Sequence, residues 1–195
     1  MKNPDPRAAA ARKLAALAEQ LQAGACFPVT RLTVLKRLCS ESQDAAAFAH
    51  YLAELAQDRF RQAPPSHLEP DRVRAFGARI DAALNCIHAY RSAPDRDAEL
   101  ALRAACRELE SAQAETRDTR WATVRTIDSR EALVVETAVH CLLEPRDSAR
   151  WGYSLGRKHA ERYDPRCGSG LSPASAPYVR EIAEFWLAAP PHPVR

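Results

Sequence analysis

A chain of 195 residues with 46% hydrophobic and 27% charged residues has the length and balance of one globular unit able to bury a core of its own. No apolar run approaches the roughly 18 residues of a membrane helix, and the opening "MKNPDPRAAAARKLAALAEQ" carries charge throughout, unlike a secretory leader. The net charge of +3 hides a lopsided set of cations, 24 Arg against 4 Lys, but acids are interleaved among them, so no extended field for nucleic acid builds up.

Period-2 alternation is almost absent and the 3.6-residue period is nearly everywhere. Asp5 and Pro6 make a cap and a first-turn proline for a helix with Leu14, Leu17, Ala18 and Leu21 on one face, closed by Gly24. Thr30 or Thr33 can cap a short helix through Leu35 and Leu38. Ser42 opens the next, striped by Phe48, Leu52, Leu55 and Ala56. "RQAPPSHLEP", residues 61–70, is the first clear break and a candidate boundary between two sub-bundles. Val73, Phe76, Ile80, Ala83, Leu84 and Ile87 then trace the cleanest helical stripe, ending near Tyr90.

"SAPD" stops that helix and caps another, carrying Leu102, Cys106 and Leu109. "RWATVRTI", residues 120–127, is the one strand-like run. A lone strand has no backbone partner, so a connector or short helix is the expectation. Ser129 caps "REALVVETAVHCLLEP", apolar nearly all round and hence predicted for the middle of the fold. Asp147 or Ser148 caps a helix over 149–163, and Pro177 opens the last, through Val179, Ile182, Phe185 and Trp186. The expected class is all-α: one domain over 1–195 with about seven or eight helices, its candidate sub-bundle boundary near 61–70. Residues 44–60 echo 147–163 without gaps, sharing Asp44/Asp147, Ala46/Ala149, Leu52/Leu155 and Arg59/Arg162. Duplication explains this, and so do shared amphipathic constraints.

Motifs for chemistry are sparse. The six cysteines, Cys26, Cys39, Cys86, Cys106, Cys141 and Cys167, include no pair at zinc-knuckle spacing. Most lie in apolar helical runs, and reduced thiols in a cytoplasmic protein are expected. "RCGSGLSPASAP" has the composition of a phosphate cradle, but a helix precedes it where a strand-to-helix turn is required. It reads as an ordered connector: Asp164-Pro165 stops a helix, and Gly168 and Gly170 permit close approach of backbones. No Gly-x-Ser-x-Gly occurs, no cofactor is implied, and nothing argues for an enzyme.

Tyr163, Arg166, Tyr178 and Trp186 flank that connector and make an aromatic-and-arginine set of the kind found at binding hot spots. The leading expectation is therefore a non-catalytic helical module that docks a protein partner or itself, or assists assembly. One rival is a nucleic-acid-binding regulator, with Arg150, Arg157 and Lys158 on one side of a helix. The other is an all-α enzyme or metal-binding protein centred on Glu136 and His140, four apart on one face of an otherwise apolar helix. Two ligands do not complete a site; His50, His88 and His159 are further histidines able to converge in space.

Overall fold

Residues 6–66, 68–115, 130–162, 164–168 and 170–188 are described in a computed structural model. The helical stripes of the sequence have become α1 (Pro6–Gln22), α2 (Val34–Leu38), α3 (Ser42–Gln62), α4 (Pro70–Ser92), α5 (Arg96–Glu115), α6 (Arg130–Leu143), α7 (Ser148–Ala160) and α8 (Ala176–Ala188). No strand occurs among the described residues, so the expected all-α class holds. The strand-like run 120–127 and the caps Asp5 and Ser129 lie outside the described residues.

Several ends follow the capping signals. The backbone N–H of Ala98 donates to Asp95 Oδ1 at 2.8 Å, satisfying a first-turn amide of α5. Gly24 takes φ +100° just beyond α1. Other ends differ from expectation. Ser42 is the first residue of α3 rather than its cap, because Glu41 holds the extended position before it. α7 stops at Ala160, since Glu161 is already extended and Arg162 turns its guanidinium back onto the carbonyls of His159 and Glu161, at 2.7 and 2.9 Å.

Burial orders the helices. α6, apolar on nearly every face, lies against α3, α4, α5 and α7, with Ala132, Val134, Val135, Ala138, Val139 and Leu142 buried. α3 and α4 run antiparallel: Gln57 donates to Asp81 at 2.7 Å, while His50, seven residues earlier, meets His88, seven residues later. α1 packs along α8, its distant partner in sequence. α2 crosses α7 so closely that a Cβ on Gly152 would sit 2.4 Å from Cys39 Cβ, and one on Gly156 would sit 2.2 Å from Leu35 Cδ1.

The connector between α7 and α8 is pinned rather than free. Phe27 and Leu171 exchange backbone hydrogen bonds of 2.9 and 2.8 Å, and a Cβ on Gly170 would stand 2.8 Å from the Phe27 carbonyl oxygen. This backbone pairing also corrects the expectation of six reduced thiols. Cys26 and Cys167, 141 residues apart, are joined in a disulfide with Cα atoms 5.6 Å apart. Cys39, Cys86, Cys106 and Cys141 remain free.

Candidate metal centre

Two i,i+4 pairs on neighbouring helices build the site. Cys106 and Glu110 project from one face of α5, and His140 projects from α6, with Glu136 one turn before it. The α5–α6 contact brings Cys106 Sγ to 3.7 Å from His140 Nε2 and to 3.9 Å from Glu110 Oε1. Glu110 Oε1 lies 3.4 Å from the same Nε2. Cys106 is buried, whereas the side chains of His140 and Glu110 are 27% and 47% exposed, so the cluster opens toward solvent on one side.

His140 is oriented from behind. Its Nδ1 faces Glu144 Oε1 at 3.3 Å, and the other oxygen of Glu144 accepts the Trp151 indole N–H at 2.9 Å. The indole stacks on the imidazole, with ring centroids 4.7 Å apart and planes 12° apart. An Nδ1–H donated to Glu144 leaves the Nε2 lone pair facing Cys106 and Glu110. The indole N–H, joined by His140, holds the Glu144 carboxyl below the usual range.

The electrostatics select among the chemistries open to this group. Thiol, imidazole and carboxylate in line resemble a nucleophile, its base and an orienting acid. But burial pushes the Cys106 thiol up to about 12, and the charges of Glu110 and Glu136 push the same way, with Arg107 alone opposing them. Activated thiols sit in cationic, partly exposed surroundings, and this one is dry and anionic. A cation is what would neutralise it. Lys158, the nearby cation on α7, donates its ammonium to Thr137 Oγ1 at 2.8 Å; burial lowers its pKa, while Glu136 and Cys106 act to raise it.

The donor spacings fit a metal ion. Bonds of about 2.3 Å to sulfur and about 2.0–2.1 Å to nitrogen and oxygen, at tetrahedral angles, give S–N and S–O separations of about 3.5 Å and an N–O separation of about 3.3 Å. The three observed separations, 3.7, 3.9 and 3.4 Å, lie close to those edges. A charge-assisted N–H···O bond would be shorter, at about 2.7–2.9 Å.

The other residues expected to carry function are dispersed. Trp186 is only 3% exposed, packed with Phe48 and Phe185 at centroid distances of 5.4 and 5.0 Å. Tyr178 lies against the guanidiniums of Arg59 and Arg162, 4.2 and 3.5 Å from its ring centroid. Arg166 closes its own turn on Asp164 through two side-chain bonds of 3.1 and 2.9 Å. Tyr163 lies outside the described residues. Arg150 covers the Trp151 ring, Arg157 pairs with Glu161 at 3.0 Å, and Lys158 is turned inward, so the three form no common phosphate-facing row. His159 is buried between α3 and α8 partners, donating Nε2–H to Glu181 Oε2 at 2.9 Å, and is not among the donors of the centre.

Sequence reasoning singled out Glu136 and His140; of these, His140 lies in the cluster with Cys106 and Glu110, and neither of those two nor Glu144 was singled out as a donor. The spacing of Cys106 and Glu110 was a second donor pair in plain view, and His140 with Glu144 a third. No protein-family model matches the chain, and no curated protein or solved structure matches it.

Proposed function

We propose that this protein binds a divalent transition-metal ion, of the zinc class, through Cys106, Glu110 and His140. The observation that carries the reading is the set of three donor separations, each near a tetrahedral edge. The mixed sulfur, nitrogen and oxygen donors suit zinc or cobalt and not calcium or magnesium, which take oxygen ligands. Three protein ligands leave a fourth position for water or for a carboxylate, with Glu136 near enough to bear electrostatically on Cys106. His140 is the pivot of the site: Glu144 fixes its tautomer and Trp151 fixes both.

The reading takes precedence over docking to a protein partner because Trp186 is core and the Tyr178 ring is covered by Arg59 and Arg162. The large apolar side chains exposed by half or more among the described residues, Leu100 and Leu187, stand on separate helices, α5 and α8, and make no patch.

Cobalt(II) provides the test. Untagged protein titrated with Co(II) is expected to develop a thiolate-to-metal charge-transfer band at one equivalent, and Cys106→Ser to abolish that band while the helical signal persists. Glu144→Gln and Trp151→Phe, which disturb only the support behind His140, are expected to weaken binding about 10- to 100-fold. Absence of the band in wild-type protein at saturating cobalt would sink the reading.

A further inference from the structure

The α3–α4 hairpin carries a second constellation of donors, one that includes no cysteine. His50 and Glu54 sit four apart on α3, and the antiparallel register of α4 sets His88 opposite them. Glu54 Oε1 lies 3.4 Å from His50 Nε2 and 3.5 Å from His88 Nε2, and the imidazole centroids are 4.6 Å apart. These N–O separations are again near the edge of a tetrahedron built on bonds of about 2.0–2.1 Å. They are long for a charge-assisted hydrogen bond.

A separate observation points to something missing. His50 Nε2 is buried from solvent and has no hydrogen-bond partner. Buried polar atoms are nearly always satisfied, and an orphan directed at two other donors asks for an explanation.

We propose that His50, Glu54 and His88 form a second metal-ion site, a two-histidine, one-carboxylate set independent of Cys106. Its donors, without sulfur, take zinc, cobalt, nickel or copper in the order set by intrinsic affinity, copper strongest. Glu54 and His88, each 46% exposed, leave the remaining coordination position open to water.

Arg91 acts as the guard of this site. Its guanidinium contacts His50 Nδ1, and because arginine only donates, that nitrogen accepts and the proton resides on Nε2. Ligation through Nε2 requires the proton to move to Nδ1 and Arg91 to swing away. Exposed in the last turn of α4, Arg91 has room to do so. Removing it therefore favours the metal.

The experiment is Co(II) or Zn(II) binding to untagged, full-length protein, with stoichiometry by elemental analysis after desalting and the thiolate band recorded in parallel. Wild type is expected to hold two ions. Cys106→Ser is expected to hold one, with no thiolate band; His88→Ala and His50→Ala are expected to hold one, with the band intact. Arg91→Ala is expected to keep both ions and bind the second about tenfold more tightly, the equivalent of one hydrogen bond. His88→Ala with unchanged stoichiometry, or Cys106→Ser with no ion, overturns the second site. A single ion without the thiolate band, lost in His88→Ala, would remove the first site and leave the second standing. Thermal midpoints of the half-exposed His88→Ala variant, within a few degrees of wild type, separate ligand loss from unfolding.

Discussion

His159 illustrates how a single buried side chain sets an energetic term. It is 1% exposed, and burial drives its pKa down to about 4, ahead of the opposing bond to Glu181 and the like-signed push of Arg59 and Arg162. Burial raises the Glu181 carboxyl, but the bonds from His159 and Arg59 outweigh that and hold it below the usual range. Arg59 Nη1 approaches His159 Nε2 at 3.4 Å, yet that nitrogen already donates to Glu181, so the approach is between two donors and not a bond. A histidine with a lowered pKa takes its proton more readily when unfolded, so stability is full above pH 6.5 and falls as the pH drops toward 4. The loss reaches about 3 kcal/mol by pH 4, and Glu181 adds to it in the same direction. Urea midpoints measured between pH 7 and 5, above the range of ordinary carboxylates, are expected to decline in wild type and stay nearly level in His159→Gln.

At the scale of elements, the α2–α7 crossing depends on having no side chain at two positions one turn apart. Gly152 faces Cys39 and Gly156 faces Leu35, with no room for a methyl group at either. Alanine at an ordinary helical position would stabilise α7 by about 1 kcal/mol. At Gly152 the obstructing atom is the Cβ of Cys39, which cannot rotate away, so overpacking wins and Gly152→Ala is expected to destabilise by about 1–3 kcal/mol. Thermal denaturation followed by circular dichroism checks the sign, and a raised midpoint would refute the close crossing. Leu52/Leu155 and Arg59/Arg162 are two of the identities shared by 44–60 and 147–163. Leu52 and Leu155 are both fully buried, and Arg59 and Arg162 both reach the Tyr178 ring from α3 and from the segment after α7.

For the whole molecule, the Cys26–Cys167 bridge is the longest-range covalent statement. Closing a loop of 141 residues restricts the unfolded chain by an amount worth about 5 kcal/mol on the chain-entropy account. The bridge ties the segment after α1 to the connector before α8, the same two helices that pack along each other. Denatured protein kept from reductant is expected to titrate four thiols, and six after reduction, with the urea midpoint falling in the reduced form. Six thiols from the start would contradict the pairing. No helix among the described residues is long and apolar enough to cross a membrane.

The helices themselves were legible because their signal is local: an apolar stripe every 3.6 residues reports a buried face regardless of what covers it. The centrality of α6 was legible for the same reason, since a helix apolar all round has no face left for water. Donor pairs such as Glu136/His140 and His50/Glu54 are likewise written in a single turn of helix. Which pair meets which could not be read, because Cys106 approaches His140, and His88 approaches Glu54, only through the way one helix's side chains interlock with another's. The same holds for Trp186, whose aromatic character suggested a surface anchor and whose packing against Phe48 and Phe185 made it core. Local periodicity is a property of consecutive residues, and convergence of distant donors is a property of close packing in three dimensions; the first belonged to the sequence alone, the second to the tertiary structure.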